Sequence, residues 1–474
     1  MTREAHTELR QPEVGVAILG MGTVGTEVVR LLIENSDSFT HRVGAPIVIR
    51  GIAVRDTQRD RGVDPSLITD DAQALIDRPD VDVVVEVIGG IEGSRQLLLS
   101  ALKQGKSVVT ANKALVAAHS AELAAAADES QVDLYFEAAV AGAIPIIGPL
   151  KRSMAGDEIQ RIMGIVNGTT NYILSAMDAT GADYAETLAE AGRLGYAEAD
   201  PTADVEGFDA ASKAAILSTL AFHSRVTAKD VYREGITKIT QQDIRSAHRL
   251  NCTIKLLAVC ERITSQDGSQ SVSARVYPAL VPLTHQLATV NGAFNAVFME
   301  AESAGQIMFY GPGAGGTPTA SAVLGDLVAA SRNVVHGGRA PGDNTYANLP
   351  IANFGDVQTR YLVNMYVVDE KGTLSKVTDV FAKNDVSIAT VYQDELGESE
   401  ADTAVGGNSD GKFASLSVVT HLASEANLAA CVEALGESDS VVRVTSVLRM
   451  EGQEKIGYCP FPASHIICGK GDAS

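Results

Sequence analysis

Three things are scarce in this chain: cysteine pairs, positive charge and long apolar runs. Its five cysteines (Cys252, Cys260, Cys431, Cys459 and Cys468) are scattered, odd in number and form no C-x-x-C pair. That argues against a disulfide framework and reads as reduced thiols, each a small buried hydrophobe. Lys and Arg number 38 against 59 Asp and Glu, a net charge of −21. A nucleic acid or an anionic membrane surface needs a basic face, so neither is expected as a partner. No apolar run is long enough to span a membrane, and the polar start MTREAHTELRQPE is not a signal peptide. A cytoplasmic protein is expected. Core material, by contrast, is plentiful. Hydrophobic residues make up 45% and charged residues 20% of 474 residues, enough for about three domains at roughly 100–200 residues each.

The segment VGVAILGMGTVGTEVVRLLIENS reads as buried strand, glycine turn and amphipathic helix. Gly20, Gly22 and Gly25, with Thr23 and Val24 between them, stand where a dinucleotide-binding turn requires them. The first glycine permits the tight turn, the second lets backbone approach a pyrophosphate, and the third lets helix and strand pack closely. The helix start then offers free N–H groups to phosphate. A second strand, PIVIRGIAV, ends at Arg55-Asp56. An acid there suits a ribose 2′-hydroxyl and an arginine suits a 2′-phosphate, so NADP is preferred with NAD left open. VDVVVEVIGG (81–90) has the unbroken apolarity of a strand covered on both faces. KSVVTANK then brings Thr110, Asn112 and Lys113 to the sheet's carboxyl edge, where such sheets bind ligands. Lys113 is there either a ligand contact or an ordinary turn lysine. Glu137 lies between strand residues and the small-residue run AAVAGA. It is either an oxygen ligand for a hard cation or a carboxylate hydrogen-bonded to backbone.

The densest feature is GYAEADPTADVEGFDAASK (195–213), which packs Glu198, Asp200, Asp204, Glu206 and Asp209 ahead of one cation, Lys213. From Phe208 onward the apolar spacing is helical, so Asp209 and Lys213 share a helix face, where a carboxylate can hold and tune an ammonium. A solvated acidic loop is the plainer alternative. Upstream, GIVNGTTNYILSAM (164–177) reads as strand, Asn-Gly turn and helix, with Thr169 and Thr170 as caps or site groups. Gly311, Gly313, Gly315 and Gly316 precede a helix near Thr317–Thr319, a second anion-friendly start or simply a loop. Past a Gly/Pro/Asn-rich stretch the pattern becomes βαββαβ, a ferredoxin-like module with its second helix at 424–435.

With these motifs in view, the chain resembles the homoserine dehydrogenase family, in its long, monofunctional form. The resemblance spans about residues 12–450 and rests on G-M-G-T-V-G, T-A-N-K-A, E-A-A-V-A-G-A-I-P, N-G-T-T-N-Y-I-L and G-Y-A-E-A-D-P-T-A-D-V-E-G-F-D-A-A-S-K. The C-terminal D-E-K-G-T-L-S-K-V-T looks like an ACT domain, a ligand-sensing fold. The fold class implied is α/β. A Rossmann-type doubly wound parallel sheet comes first, then an α+β substrate and dimerisation domain, then a ferredoxin-like βαββαβ (ACT) module. The expected boundaries are 12–135 for the NAD(P)-binding domain, 136–332 for the catalytic domain, 333–358 for a linker, 359–450 for the ACT module and 451–474 for a tail without assigned role. The implied reaction is NAD(P)H-dependent reduction of L-aspartate 4-semialdehyde to L-homoserine, and its reverse. The resemblance makes Lys213 the proton-transfer group, assisted by Lys113. It makes Glu198, Asp204 and Asp209 substrate-site acids and Gly195 and Gly315 cofactor-side contacts. It places sodium on Glu137 and the carbonyls of Val140, Gly142 and Ile144. Threonine is the implied effector of the ACT module, and a homodimer or homotetramer the implied assembly. Two rival readings are a reductase for a related amino-acid semialdehyde and a nucleotide-binding metabolite sensor without turnover. Neither accounts for the whole of 195–213 together with two lysines placed for chemistry.

Overall fold

The computed structural model describes residues 13–265, 267–342, 344–395 and 413–452. Residues 1–12 and 396–412, Cys459, Cys468 and, past Gly452, the expected tail lie outside the described residues.

The first body comprises β1 (Val14–Leu19), α1 (Thr23–Glu34), α2 (Ser36–Val43), β2 (Ile47–Ala53), β3 (Ile68–Thr69), α3 (Ala72–Ile76), β4 (Val83–Glu86), α4 (Glu92–Lys103), β5 (Ser107–Thr110), α5 (Lys113–Glu129) and β6 (Leu134–Tyr135). Its strands form one parallel sheet in the order β3-β2-β1-β4-β5-β6. β1 and β4 are buried along their whole length, as unbroken apolar strands must be. Leu19 pairs with Glu86, and Glu86 with Thr110. Three strands therefore stop level, and the loops that follow them share one edge. That edge contains the point where strand order reverses, the usual place for a nucleotide.

The second body begins with β7 (Ile159–Ile165), α6 (Gly168–Thr180), α7 (Tyr184–Arg193), α8 (Thr202–Val205) and α9 (Phe208–Ala221). It continues with β8 (Tyr232–Arg233), α10 (Gln241–Arg249), β9 (Cys252–Thr264), β10 (Gln270–Pro282), β11 (Phe294–Ala301), β12 (Gly305–Pro312) and α11 (Gly316–His336). α11 does not stay with this body. Its Ala320, Val323, Leu324, Leu327 and Ala330, a stripe at helical spacing, pack into one cluster with Val16, Ile18, Val28 and Val85 of the first. It runs on to Gly337, a left-handed cap with φ 74°, so its last turn lies inside the stretch read from sequence as linker.

Beyond come a short ribbon, β13 (Gln358–Thr359) with β17 (Ala423–Ser424), and the expected βαββαβ module. The module is β14 (Tyr361–Val368), α12 (Thr373–Lys383), β15 (Ile388–Glu395), β16 (Phe413–Thr420), α13 (Glu425–Gly436) and β18 (Val441–Met450). Its sheet is not separate. β18 pairs in parallel with β10 through Ala279–Arg449 and Leu280–Met450, giving the single order β12-β11-β7-β9-β10-β18-β14-β16-β15. Among the described residues no helix is long and apolar enough to cross a membrane.

Candidate active site

α9 is buried on nearly all sides, because FDAASKAAILSTLA offers small and apolar residues around its whole circumference. It packs against β9 and β10 and carries two charged residues in with it. Asp209, in its first turn, and Lys213 are four residues apart, and Lys213 Nζ donates to Asp209 Oδ2 at 2.7 Å. The same ammonium donates to the Val166 carbonyl at 2.6 Å. From the first body comes Lys113, the opening residue of α5. Asn112 caps that helix, its Oδ1 accepting the Leu115 N–H at 3.1 Å. Lys113 forms an ion pair with the other oxygen of Asp209, Oδ1. One carboxylate with 3% of its side chain exposed thus joins two lysines, Lys213 at 10% and Lys113 at 48%. The first lysine is enclosed and the second is half-exposed.

The electrostatics follow. Burial pushes the Asp209 carboxyl up, but the Lys213 and Lys113 ammoniums outweigh it and hold the group well below the usual carboxylate range. Burial likewise works against charge on Lys113, and the Asp209 carboxylate, backed by Asp204 and Glu198, overcomes it and lifts that lysine above its ordinary value. Asp204 is brought in from α8, its Oδ1 accepting Asn167 Nδ2 at 2.7 Å. The Thr169 hydroxyl donates to Tyr196 O at 2.6 Å and lies 3.2 Å from Asp204 Oδ2. Glu198 is exposed on the loop before α8. The other two acids of the stretch face elsewhere: Asp200 accepts the Thr202 N–H and Glu206 accepts the Thr237 hydroxyl.

The glycine turn meets its three steric requirements one by one. A methyl group on Gly20 (φ 105°) would lie 3.0 Å from Val87 O, and one on Gly25 would lie 2.2 Å from Gly20 O. On Gly22 it would meet nothing within 4 Å. The start of α1, at Thr23 and Val24, carries no side-chain cap and no first-turn acid, so its N–H groups suit a pyrophosphate. Gly315 (φ 119°) caps α11 beside this turn. Thr317 Oγ1 donates to Glu27 Oε2 at 2.7 Å, and a methyl on Gly316 would lie 3.1 Å from Thr23 O. Arg55 is exposed at the end of β2. Gly195 lies in the loop after α7 with φ 78°. The Thr110 hydroxyl is engaged within the protein, donating to Glu86 Oε2 at 2.6 Å.

Glu86 and Asn167 escaped the sequence reading. Glu86 is fully buried. Its Oε1 accepts the N–H groups of Ile88 and Gly89 at 2.9 and 3.0 Å, so it holds the Gly89-Gly90 loop beside the nucleotide turn. A lone carboxylate closing an apolar strand was the available signal. For Asn167 the signal was its place before G-T-T, as a helix cap.

Around Glu137 both sequence alternatives find material. Its Oε1 accepts the Ile146 and Ile147 N–H groups at 2.5 and 2.7 Å, and Oε2 accepts that of Gly148 at 2.7 Å. The loop between includes two consecutive left-handed residues, Ala141 (φ 58°) and Gly142 (φ 59°). The carbonyls of Val140, Gly142 and Ile144 are not among the acceptors of the loop's backbone bonds. Oxygen donors that suit a hard cation are therefore present. No group of three or more His, Cys, Asp or Glu suited to a metal occurs among the described residues.

A parallel sheet with this switch edge and turn, beside a lysine enclosed with its carboxylate, belongs to a nicotinamide-nucleotide-dependent oxidoreductase. The comparisons narrow the class. Residues 20–137 match the homoserine dehydrogenase NAD-binding domain model, and 145–328 match the homoserine dehydrogenase model. The homoserine dehydrogenase of Corynebacterium glutamicum is 61% identical over 439 residues, 92% of this chain and 96% of that one. That of Mycobacterium tuberculosis strain H37Rv is 62% identical over 93% of this chain and 98% of its own. The crystal structure of a homoserine dehydrogenase from Thiobacillus denitrificans superposes with a TM-score of 0.84 at 36% identity, covering 93% and 98% of the two chains. A hyperthermophilic archaeal homoserine dehydrogenase solved in complex with NADPH covers 68% of this chain and 98% of its own, with a TM-score of 0.57 at 28% identity. The chain belongs to the homoserine dehydrogenase family.

Proposed function

We propose that the Lys213–Asp209–Lys113 group is the proton-transfer and substrate-binding centre for interconversion of L-aspartate 4-semialdehyde and L-homoserine. The observation that carries this is the sharing of one buried carboxylate, Oδ2 to Lys213 and Oδ1 to Lys113. A bound nicotinamide supplies or removes the hydride. Hydride added to the aldehyde carbon leaves an alkoxide that needs a proton and nearby positive charge. Lys213 has three N–H donors, and Asp209 and Val166 engage two of them. The third serves the alkoxide in reduction, and the neutral amine takes the hydroxyl proton in oxidation. Lys113, half-exposed beside the shared carboxylate, assists. Glu198, Asp204 and Asp209 supply the negative charge that an α-ammonium substrate requires.

The nucleotide lies on Gly20, Gly22, Thr23, Val24 and Gly25, with Gly195, Gly315 and the backbone near Thr110 along its path. Arg55 at the ribose edge favours NADP over NAD, and the NADPH in the archaeal relative's structure supports the same choice. A sodium ion on Glu137 and the carbonyls of Val140, Gly142 and Ile144 would fix the loop between the bodies. The 359–450 module acts as an ACT domain binding threonine, in a homodimer or homotetramer in the cytoplasm. The domain boundaries read from sequence go with this assignment.

The direct test is absorbance at the reduced-nicotinamide band, with purified protein, L-homoserine and NADP or NAD, with and without threonine. Homoserine-dependent reduction, faster with NADP and suppressed by threonine, is expected. Faster reduction with NAD would reverse the cofactor assignment, and indifference to threonine would remove the effector. No reduction by folded protein with either nucleotide would overturn the proposed centre.

A further inference from the structure

Asn167 joins β7 to α6 and is buried at 5% exposure. The helix it starts decides which way its amide faces. Oδ1 accepts the Thr170 N–H at 2.9 Å and lies 3.0 Å from the Thr170 hydroxyl, so the NH2 end is turned to the other side. There it donates one N–H to Asp204 Oδ1 at 2.7 Å and the other to Asp209 Oδ2 at 2.9 Å. Asp209 Oδ2 is the same oxygen that receives Lys213, and the second acceptor of Lys213 is the carbonyl of Val166, one residue before Asn167. A single residue pair thus meets the lysine, its carboxylate and the neighbouring carboxylate.

Two carboxylates drawn to one spot repel or share a proton, and a shared proton removes negative charge. An uncharged NH2 placed between them gives each a donor of its own. We infer that Asn167 is a positioning residue for the dehydrogenase reaction: its amide holds the Asp204 and Asp209 side chains apart as separate acceptors and so sets where the Lys213 ammonium meets the substrate. The inference rests on Lys213 as the proton-transfer group. The charged groups facing this point are Asp204 from α8, Asp209 and Lys213 from α9, Lys113 from α5 and, farther out, Glu198. Any change in charge at 167 therefore registers on the lysines.

Two variants separate positioning from capping. Asn167→Asp is isosteric and keeps the cap oxygen, since Asp caps about as well as Asn, but replaces both donors with a third carboxylate. Asn167→Ser keeps a cap oxygen without charge and is too short to bridge two carboxylates. Homoserine oxidation is followed across the neutral to alkaline range, with thermal unfolding and nucleotide affinity measured beside it. The Ser variant should unfold close to wild type and the Asp variant at a lower midpoint, since a third carboxylate joins two; both should bind nucleotide normally, while kcat falls about 10-fold or more, as misplacement of reacting groups does. In the Asp variant the rise of kcat with pH should also move to higher pH, because added negative charge favours the protonated lysine. A residue that only caps α6 would leave kcat at its wild-type value in the Ser variant, which adds no charge, and that result overturns the inference. If the Asp variant does not fold, the kcat of the Ser variant decides. Lys213→Ala, measured alongside, tells the two failures apart. Wild-type turnover there overturns the inference through its premise, whereas an inactive Lys213→Ala with a wild-type-like Asn167→Asp removes Asn167 alone.

Discussion

Lys213 and Lys255 are both buried, and their surroundings give them opposite characters. Lys213 has a carboxylate within 2.7 Å and a free donor position, so its removal should act on chemistry rather than on nucleotide binding. Lys213→Ala should lower kcat by roughly 10²-fold or more with an almost unchanged Kd for NADP. Near-normal turnover in single-turnover kinetics would take Lys213 out of the mechanism. Lys255 instead donates to the Val290 carbonyl at 2.7 Å and to Asn291 Oδ1 at 3.0 Å. Burial, only partly offset by Asp178, brings its pKa down to about 8. Between that value and the unfolded lysine value of about 10.4, the unfolded chain holds the extra proton, so the Lys255 contribution to stability rises with pH in this window. Below pH 8 both states are charged and the cost of the buried ammonium is fully present. Lys255→Gln keeps an N–H donor without the titration. The urea midpoint of wild type relative to this variant should therefore climb from pH 7.5 to 9.5. A constant difference would show that the ammonium is not destabilised by its burial.

The β1–α1 turn is the element whose geometry makes the sharpest contrast. Gly22 has φ −83° and open space around it, so Gly22→Ala should fold like wild type. Its methyl would nevertheless occupy the place where backbone approaches a pyrophosphate, and nucleotide Kd should rise about tenfold or more, ~1.4 kcal/mol. Gly25→Ala puts a methyl 2.2 Å from Gly20 O and should instead destabilise the fold by about 1–3 kcal/mol. Calorimetry and nucleotide titration of the pair check both; equal stability of the two variants would contradict the steric account. This turn was legible in the sequence because each glycine answers a local requirement. The helical pairing of Asp209 with Lys213 was legible for the same reason, a spacing of four. Glu86 and Asn167 were not, since beyond their local backbone contacts they meet Thr110, 24 residues away, and Asp204 and Asp209, 37 and 42 residues away, and only the sheet register and the approach of α6 to α9 bring these together. The two-residue strands β3 and β6 have too few residues to show a period. The docking of α11 on the first body depends on an apolar stripe whose partner the chain alone does not name.

The molecule as a whole is joined at the β10–β18 seam, where buried charge is set into apolar contact: Leu280 of β10 shares one buried cluster with Leu362, Leu448 and Met450 of the module. Arg449, on the last strand of the module, donates to both oxygens of Glu425 at 2.8 and 3.0 Å. It reaches across to Glu234 of the catalytic body at 2.8 Å and lies 4.7 Å from the centre of the Tyr277 ring. Glu451, one residue past Met450, receives Arg161 and the Tyr277 hydroxyl. Burial pushes the Glu425 carboxyl up, and Arg449, with the Thr359 and Tyr361 hydroxyls, outweighs it and keeps the pKa low. Cutting the chain before β14 would strip β10 of its neighbour and leave Arg161 and Arg275 without Glu451, so point changes probe this seam better than truncation. Because the two parts share one sheet and one ion cluster, they should unfold in a single cooperative transition. Arg449→Met leaves the Glu425 carboxylate buried without its cation and should cost about 3–5 kcal/mol. The double variant with Glu425→Gln should recover part of that loss, since the uncompensated charge is gone. Activity measured well below the transition should stay within about twofold of wild type, as no group at the seam touches Lys213 or Asp209. Scanning calorimetry of wild type and both variants decides the matter: two resolved transitions, with Arg449→Met moving only one of them, would mean that the shared sheet does not couple the module to the catalytic body.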